Sequence, residues 1–123
     1  PKPGERILDA CAAPGGKATH MAQKMGNRGE IDALDLSKGK LDSIEESCQR
    51  LGIRTVRTIQ GNAAEPLRIP KGIKYDRILA DVPCSGCGTL RRNPDLKWRR
   101  GEKDVKRLSE VQSSILGNLS TYV

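Results

Sequence analysis

Four times along this chain a short apolar, β-favouring run gives way to turn chemistry, and helical periodicity fills the longer gaps between the runs. That alternation constrains the fold more than anything else in the sequence. Parallel strands must be joined by crossovers, and the crossovers place helices on both faces of the sheet. Arg6–Ala10 (RILDA), Ile31–Leu36 (IDALDL), Thr55–Ile59 (TVRTI) and Asp76–Val82 (DRILADV) read as the strands. Lys17–Met25 reads as the first helix, stopped by Gly26-Asn27-Arg28-Gly29. In Lys38–Leu51 the residues Leu41, Ile44, Cys48 and Leu51 recur at helical steps, with Ser37 suited to the N-cap and Gly52 to the C′ position. Pro66 and Pro70 punctuate a loop, and Pro83 is predicted to end the fourth strand because it has no N–H for a ladder. Lys103–Leu119, with Val105, Leu108, Val111, Ile115 and Leu116, reads as an amphipathic third helix. In such an α/β sheet, ligands bind beyond the carboxyl ends of the strands at the switch point.

Composition narrows the partners. A chain of 123 residues is one domain at most. Its net charge of +7 favours an anionic partner, nucleic acid or acidic membrane, against the plainer reading of a solvated basic surface. No apolar run approaches the ~18 residues of a bilayer span. No signal-peptide core follows the N-terminus, and PKPGER reads as a lead-in cut from something longer. Only Tyr75, Trp98 and Tyr122 are aromatic, so the core must be aliphatic. Cys11, Cys48, Cys84 and Cys87 lie within a strand–helix alternation typical of intracellular enzymes and read as reduced thiols in the cytoplasm.

Two phrases carry the chemistry. In the first, DACAAPGGKATH (Asp9–His20), the small residues Cys11, Ala12, Ala13, Pro14, Gly15 and Gly16 lead into Lys17, and the glycines let a ligand approach the backbone. An ordinary tight βα turn is the alternative. Asp35, about 20 residues beyond the glycines at a strand end, is placed to accept hydrogen bonds from ribose hydroxyls. G-x-G-x-x-G is absent. The P-loop pattern also fails, because Ala18 follows Gly16-Lys17 and Cys11 takes the first glycine slot. S-adenosylmethionine is the best remaining adenosine-bearing cofactor.

The second phrase is ADVPCSGCGTLRRNPDLKW (Ala80–Trp98). Asp81 and Cys84 put a carboxylate and a thiol beside the same expected crevice. Thiolate addition to carbon 6 of a pyrimidine makes carbon 5 nucleophilic enough to take a methyl group. Alternatively, Cys84 is a small buried hydrophobe, or half of a Cys84–Cys87 redox dithiol. A zinc site would want a second cysteine pair, and no metal is expected. Arg91, Arg92, Lys97, Arg99 and Arg100 form a basic stretch whose guanidinium forks suit phosphate, with Trp98 read as an anchor for the loop.

Taken together, DACAAPGGK, Asp35, Gly61-Asn62-Ala63, DVPCSGCGT and RRNPDLKWRR resemble the Sun-type (Nol/Nop/Sun) RNA cytosine-C5 methyltransferases, notably their bacterial ribosomal RNA members. The likeness covers nearly the whole chain. It implies a Rossmann-like S-adenosylmethionine-dependent methyltransferase fold acting on RNA. By position, Cys11–Lys17 would contact the cofactor, Asp35 its ribose and Asn62 its adenine, while Asp81 would lie between cofactor and cytosine. Cys84 would help to release product, the attacking cysteine belonging to a Thr-Cys-Ser segment that these 123 residues do not contain. A second departure is Asn62, where the family usually has Asp. The resemblance also implies more strands than the four readable here, so residues 1–123 are expected to be the N-terminal part of a single, incomplete catalytic domain, with little turnover alone. The alternative is a non-catalytic RNA-binding module with a vestigial cofactor cradle.

Overall fold

A computed structural model of the chain describes residues 1–84, 86 and 101–123. Its strands are β1 (Arg6–Ala10), β2 (Glu30–Asp35), β3 (Val56–Gln60) and β4 (Arg77–Ala80). Its helices are α1 (Gly16–Lys24), α2 (Lys38–Leu51) and α3 (Glu102–Leu119), followed by a 3-10 turn at Ser120–Tyr122. The strands form one parallel sheet in the order β3-β2-β1-β4, with Ala10 beside Leu34 on one side and Ala80 on the other. The chain steps outward from β1 to β2 to β3, then returns to the far side of β1. The switch point therefore falls between β1 and β4, where both chemical phrases begin.

The core is aliphatic and lies on both faces of the sheet. On one face Ile7, Ile31 and Ala33 pack against Ala18 and Ala22 of α1 and Leu41, Ile44 and Cys48 of α2. On the other, Leu8, Ala10 and Leu34 meet Tyr75 and Ile115 and Leu119 of α3. Ile7, Leu8, Met25, Ile31, Leu34 and Ile44 are essentially water-free, and each contributes about 1.5–3 kcal/mol by leaving water.

Helix α2 has the bounds its spacing predicts. At its end the Gly52 N–H donates to the Gln49 carbonyl, and the Ile53 N–H to that of Cys48 at 2.8 Å, a Schellman closure with Gly52 at φ 65°. Leu51, read as part of the buried face, is 38% exposed. Ser37 stands at the N-cap but makes no side-chain cap bond; its carbonyl accepts from Lys40 and Leu41 instead. Strand β4 stops at Ala80, short of the expected Val82. The reason is its partner, since β1 ends at Ala10 and Cys11 turns away at φ 63°, leaving Asp81 without a ladder neighbour on that side. On α3, Ile115 and Leu119 are buried, but Val105, Val111 and Leu116 are exposed. Among the described residues no helix is long and apolar enough to cross a membrane. Trp98, Cys87 and the basic residues Arg91, Arg92, Lys97, Arg99 and Arg100 lie outside the described residues.

Candidate cofactor and catalytic site

The turn after β1 is tied down from several sides. The Ala12 N–H donates to the Leu34 carbonyl at 2.8 Å, and the Gly15 N–H to that of Ala12 at 2.8 Å. The Ala13 N–H donates to Asp35 Oδ2 at 3.2 Å, and the Ser37 N–H to Asp35 Oδ1 at 3.0 Å. Asp35 thus links the turns after β1 and β2, and each of its oxygens keeps a free lone pair. The N–H groups of Ala12, Ala13 and Gly15 are already engaged, so at these positions the turn offers a ligand space and not donors. Ala12 is packed into the α1–α2 core. Gly15, at φ 97°, fits because a Cβ there would lie 2.8 Å from Ile44 Cγ1, whereas a Cβ on Gly16 would meet no atom within 4 Å.

Cys11, Asp35, Leu36, Asn62, Pro83 and Ile115 line one cleft of about 240 Å³. It therefore gathers contributions from the first phrase, the ends of β2 and β3, the second phrase and α3. Gln112 of α3 donates to the Pro83 carbonyl at 2.8 Å, which fixes the segment leading to Cys84. At the head of the switch point, Lys17 Nζ lies 2.5 Å from Asp81 Oδ2. The two phrases therefore meet. Cys84 is exposed, and Asn62, at the end of β3, joins the wall of the cleft.

Asp9, which the sequence places in the first strand without assigning it a role, stands out in the structure. It is 1% exposed, and both its carboxylate oxygens are buried without a hydrogen-bond partner. Burial pushes its carboxyl up to about 6, against the pull of Lys17 and with a smaller push from Asp81. The signal was present in RILDA, where alternation puts Asp9 on the same core-facing side as Ile7. Burial, then Asp35, Asp9 and Asp81, raise the Cys11 thiol above its ordinary range, which disfavours the thiolate there. The bond to Asp81 holds Lys17 firmly as a cation.

The model of the family described as 16S rRNA methyltransferase RsmB/F matches residues 1–123. The chain belongs to the RsmB/F family. It is 43% identical to the probable ribosomal RNA small subunit methyltransferase B of Bacillus subtilis, over all of its own length and 28% of that protein's. The crystal structure of NSun6 from Pyrococcus horikoshii with SFG superposes at a TM-score of 0.85, with 38% identity, over the whole of this chain and 31% of that one. A SAM-dependent methyltransferase from Aquifex aeolicus, 21% identical, shares the fold at a TM-score of 0.55 over 63% of this chain and 40% of its own. The architecture is thus the Rossmann-like one of S-adenosylmethionine-dependent methyltransferases, and the chain spans just over a quarter of the Bacillus relative.

Within this RsmB/F chain the cleft suits the nucleoside part of such a cofactor, because Asp35 lines it and can accept from a ribose diol. Asp9, a buried carboxylate with no side-chain partner among the described residues, lies at the end of β1 just before this turn, and a Cβ on Gly16 would meet no atom within 4 Å.

Proposed function

We propose that the protein containing this chain transfers a methyl group from S-adenosylmethionine to carbon 5 of a cytosine in RNA, and that its substrate is ribosomal RNA in the cytoplasm. The observation that carries the reading is the meeting of Lys17, Asp81 and the unpartnered Asp9 at the carboxyl ends of β1 and β4, beside the cleft bounded by Asp35 and Asn62. S-adenosylmethionine brings a methyl group made electrophilic by a sulfonium.

The chain's own residues divide the remaining work. Asp9 acts on the cofactor's positive charge from within the sheet end, because a cation nearby relieves the cost of ionising a carboxyl that water does not reach. Asp35 accepts from the ribose, and the Cys11–Lys17 turn shapes the floor. Lys17 balances the charge of Asp81, which is thereby held at the rim where a cytosine's polar edge would arrive. Cys84, exposed beyond the anchored Pro83, serves product release as the family resemblance implies. Arg91, Arg92, Lys97, Arg99 and Arg100 hold RNA phosphates. The attacking cysteine comes from a segment outside these residues, so residues 1–123 form the cofactor half and turn over little by themselves.

The test is labelled methyl transfer by the full-length protein to ribosomal RNA, with the product nucleoside identified by mass spectrometry. The expected product is 5-methylcytidine, reduced at least a hundredfold by Asp81→Asn. Methyl groups on another atom, or on DNA cytosine alone, would overturn the assignment.

A further inference from the structure

The wall of the 240 Å³ cleft at Asn62 is also the wall of a second cavity, of about 320 Å³, and Glu65 lines that second cavity. The Asn62 side chain has a single orientation that satisfies its neighbours. The Ala64 N–H can only donate, so the atom facing it at 3.0 Å is Asn62 Oδ1. Asn62 Nδ2 is then turned to Glu65 Oε1, 2.8 Å away. Flipping the amide would break the Ala64 bond and set two oxygens against each other. The turn itself is anchored to α3, whose Asn118 Nδ2 donates to the Ala63 carbonyl at 2.9 Å and the Glu65 carbonyl at 2.6 Å.

The pair therefore offers one free amide N–H beside a carboxylate that has lone pairs to spare. Adenine carries the complement on its Watson–Crick edge, an acceptor at N1 beside an amino donor at N6. Hypoxanthine reverses both polarities. Asn62 is the weaker acceptor for the amino group, because its uncharged oxygen already accepts from Ala64 and its nitrogen only donates, whereas Glu65 offers a charged oxygen beside the free N–H. We propose that Glu65, held by Asn62, is the acceptor for the cofactor's adenine amino group and sets its base specificity. The negative charge that an aspartate at 62 would bring is supplied from position 65. The inference rests on the cofactor reading of the cleft.

Calorimetric titration of the full-length protein with S-adenosylhomocysteine and with its inosine counterpart tests it. Wild type should favour the adenosine ligand. Glu65→Gln should weaken that ligand about tenfold to a hundredfold, the contribution of one hydrogen bond to a charged group, and leave the inosine ligand unchanged or tighter. Adding Asn62→Asp to Glu65→Gln should restore the preference, since an aspartate there accepts directly. Glu65 is exposed, so unfolding without ligand should not move. If wild type discriminates and Glu65→Gln discriminates equally, this proposal falls and the cofactor site stands. If wild type binds neither ligand, both fall.

Discussion

Asp9 and Asp32 sit on adjacent strands, are equally hidden from water, and have opposite surroundings. Asp32, 3% exposed, is bonded on both oxygens: Arg57 Nε and a terminal guanidinium nitrogen each donate at 2.8 Å, and the Tyr75 hydroxyl at 2.7 Å. Burial and Asp32 together push the Tyr75 hydroxyl above its ordinary range. Asp9, 1% exposed, has no side-chain hydrogen bond among the described residues. Their strand positions explain the contrast. Asp32 lies on the face that meets Tyr75 and is capped from β3, whereas Asp9 lies under the turn at the switch point. A buried acid with both oxygens bonded is a structural clamp; a buried acid without partners opposes folding unless a ligand completes it.

Breaking the clamp should have the largest effect. Asp32→Ala leaves the buried Tyr75 hydroxyl without its acceptor and empties a buried site, while the largely exposed Arg57 stays solvated; it should cost about 3 kcal/mol, lowering Tm by roughly 10–20 °C. Protein that still folds should bind the cofactor within about threefold of wild type, because the network lies away from the cleft. A large loss of affinity with normal stability would reverse the roles assigned to the two acids.

Asp9→Asn should do the opposite. The folded value of about 6 lies above the ordinary 3.8, so the folded state holds the Asp9 proton more tightly than the unfolded chain does. The stability this gives is fully present below about pH 4 and is lost as pH rises through about 6, a swing of roughly 3 kcal/mol. An asparagine has no proton to lose, so ligand-free Asp9→Asn should be the more stable protein at pH 8, by up to about 3 kcal/mol, while its affinity for S-adenosylmethionine falls at least tenfold. Denaturant unfolding at pH 4 and pH 8, beside calorimetry, separates the two effects.

The same acid couples binding to protons. A cation bound near Asp9 favours its ionised form, so binding at pH 6 should release up to about half a proton, rising toward one at lower pH. Affinity should weaken by up to tenfold for each pH unit below that point. Titration in two buffers of different ionisation enthalpy measures the proton count, and Asp9→Asn should abolish the release.

Much of this architecture was legible in the letters, because local signals and the global fold agreed. The bounds of α2 followed from Leu41, Ile44 and Cys48 on one face and from Gly52 at the end. The meeting of the two phrases was expected because both begin at carboxyl ends of parallel strands, and the structure adds that β1 and β4 are neighbours. What escaped was set by neighbours. Strand β4 is short because Cys11 turns β1 away, which no propensity in DRILADV reveals. Asp9 drew no role from the letters, because RILDA alone does not say what faces its side chain; packing shows that no described residue answers it. Asn62 drew notice as a substitution, but Glu65 became visible only once the Asn62 amide orientation was fixed.

The smallest effect asks whether lack of a partner is by itself a mark of function. Thr55 Oγ1, at the amino end of the sheet next to β3, is also buried without a hydrogen-bond partner. It differs from Asp9 in carrying no charge and in lying far from the switch point, beside the Thr55 carbonyl that accepts from the Ile31 N–H. Thr55→Val replaces an unsatisfied hydroxyl with a methyl group of similar shape and keeps the β-branched geometry a strand entry favours. It should therefore be neutral or stabilising by up to about 1 kcal/mol, with cofactor affinity unchanged. If Thr55→Val instead weakened cofactor binding as Asp9→Asn does, isolation in the interior would no longer separate a binding acid from a structural residue. The case for Asp9 would then rest on its charge and its place beside Lys17 and Asp81 alone.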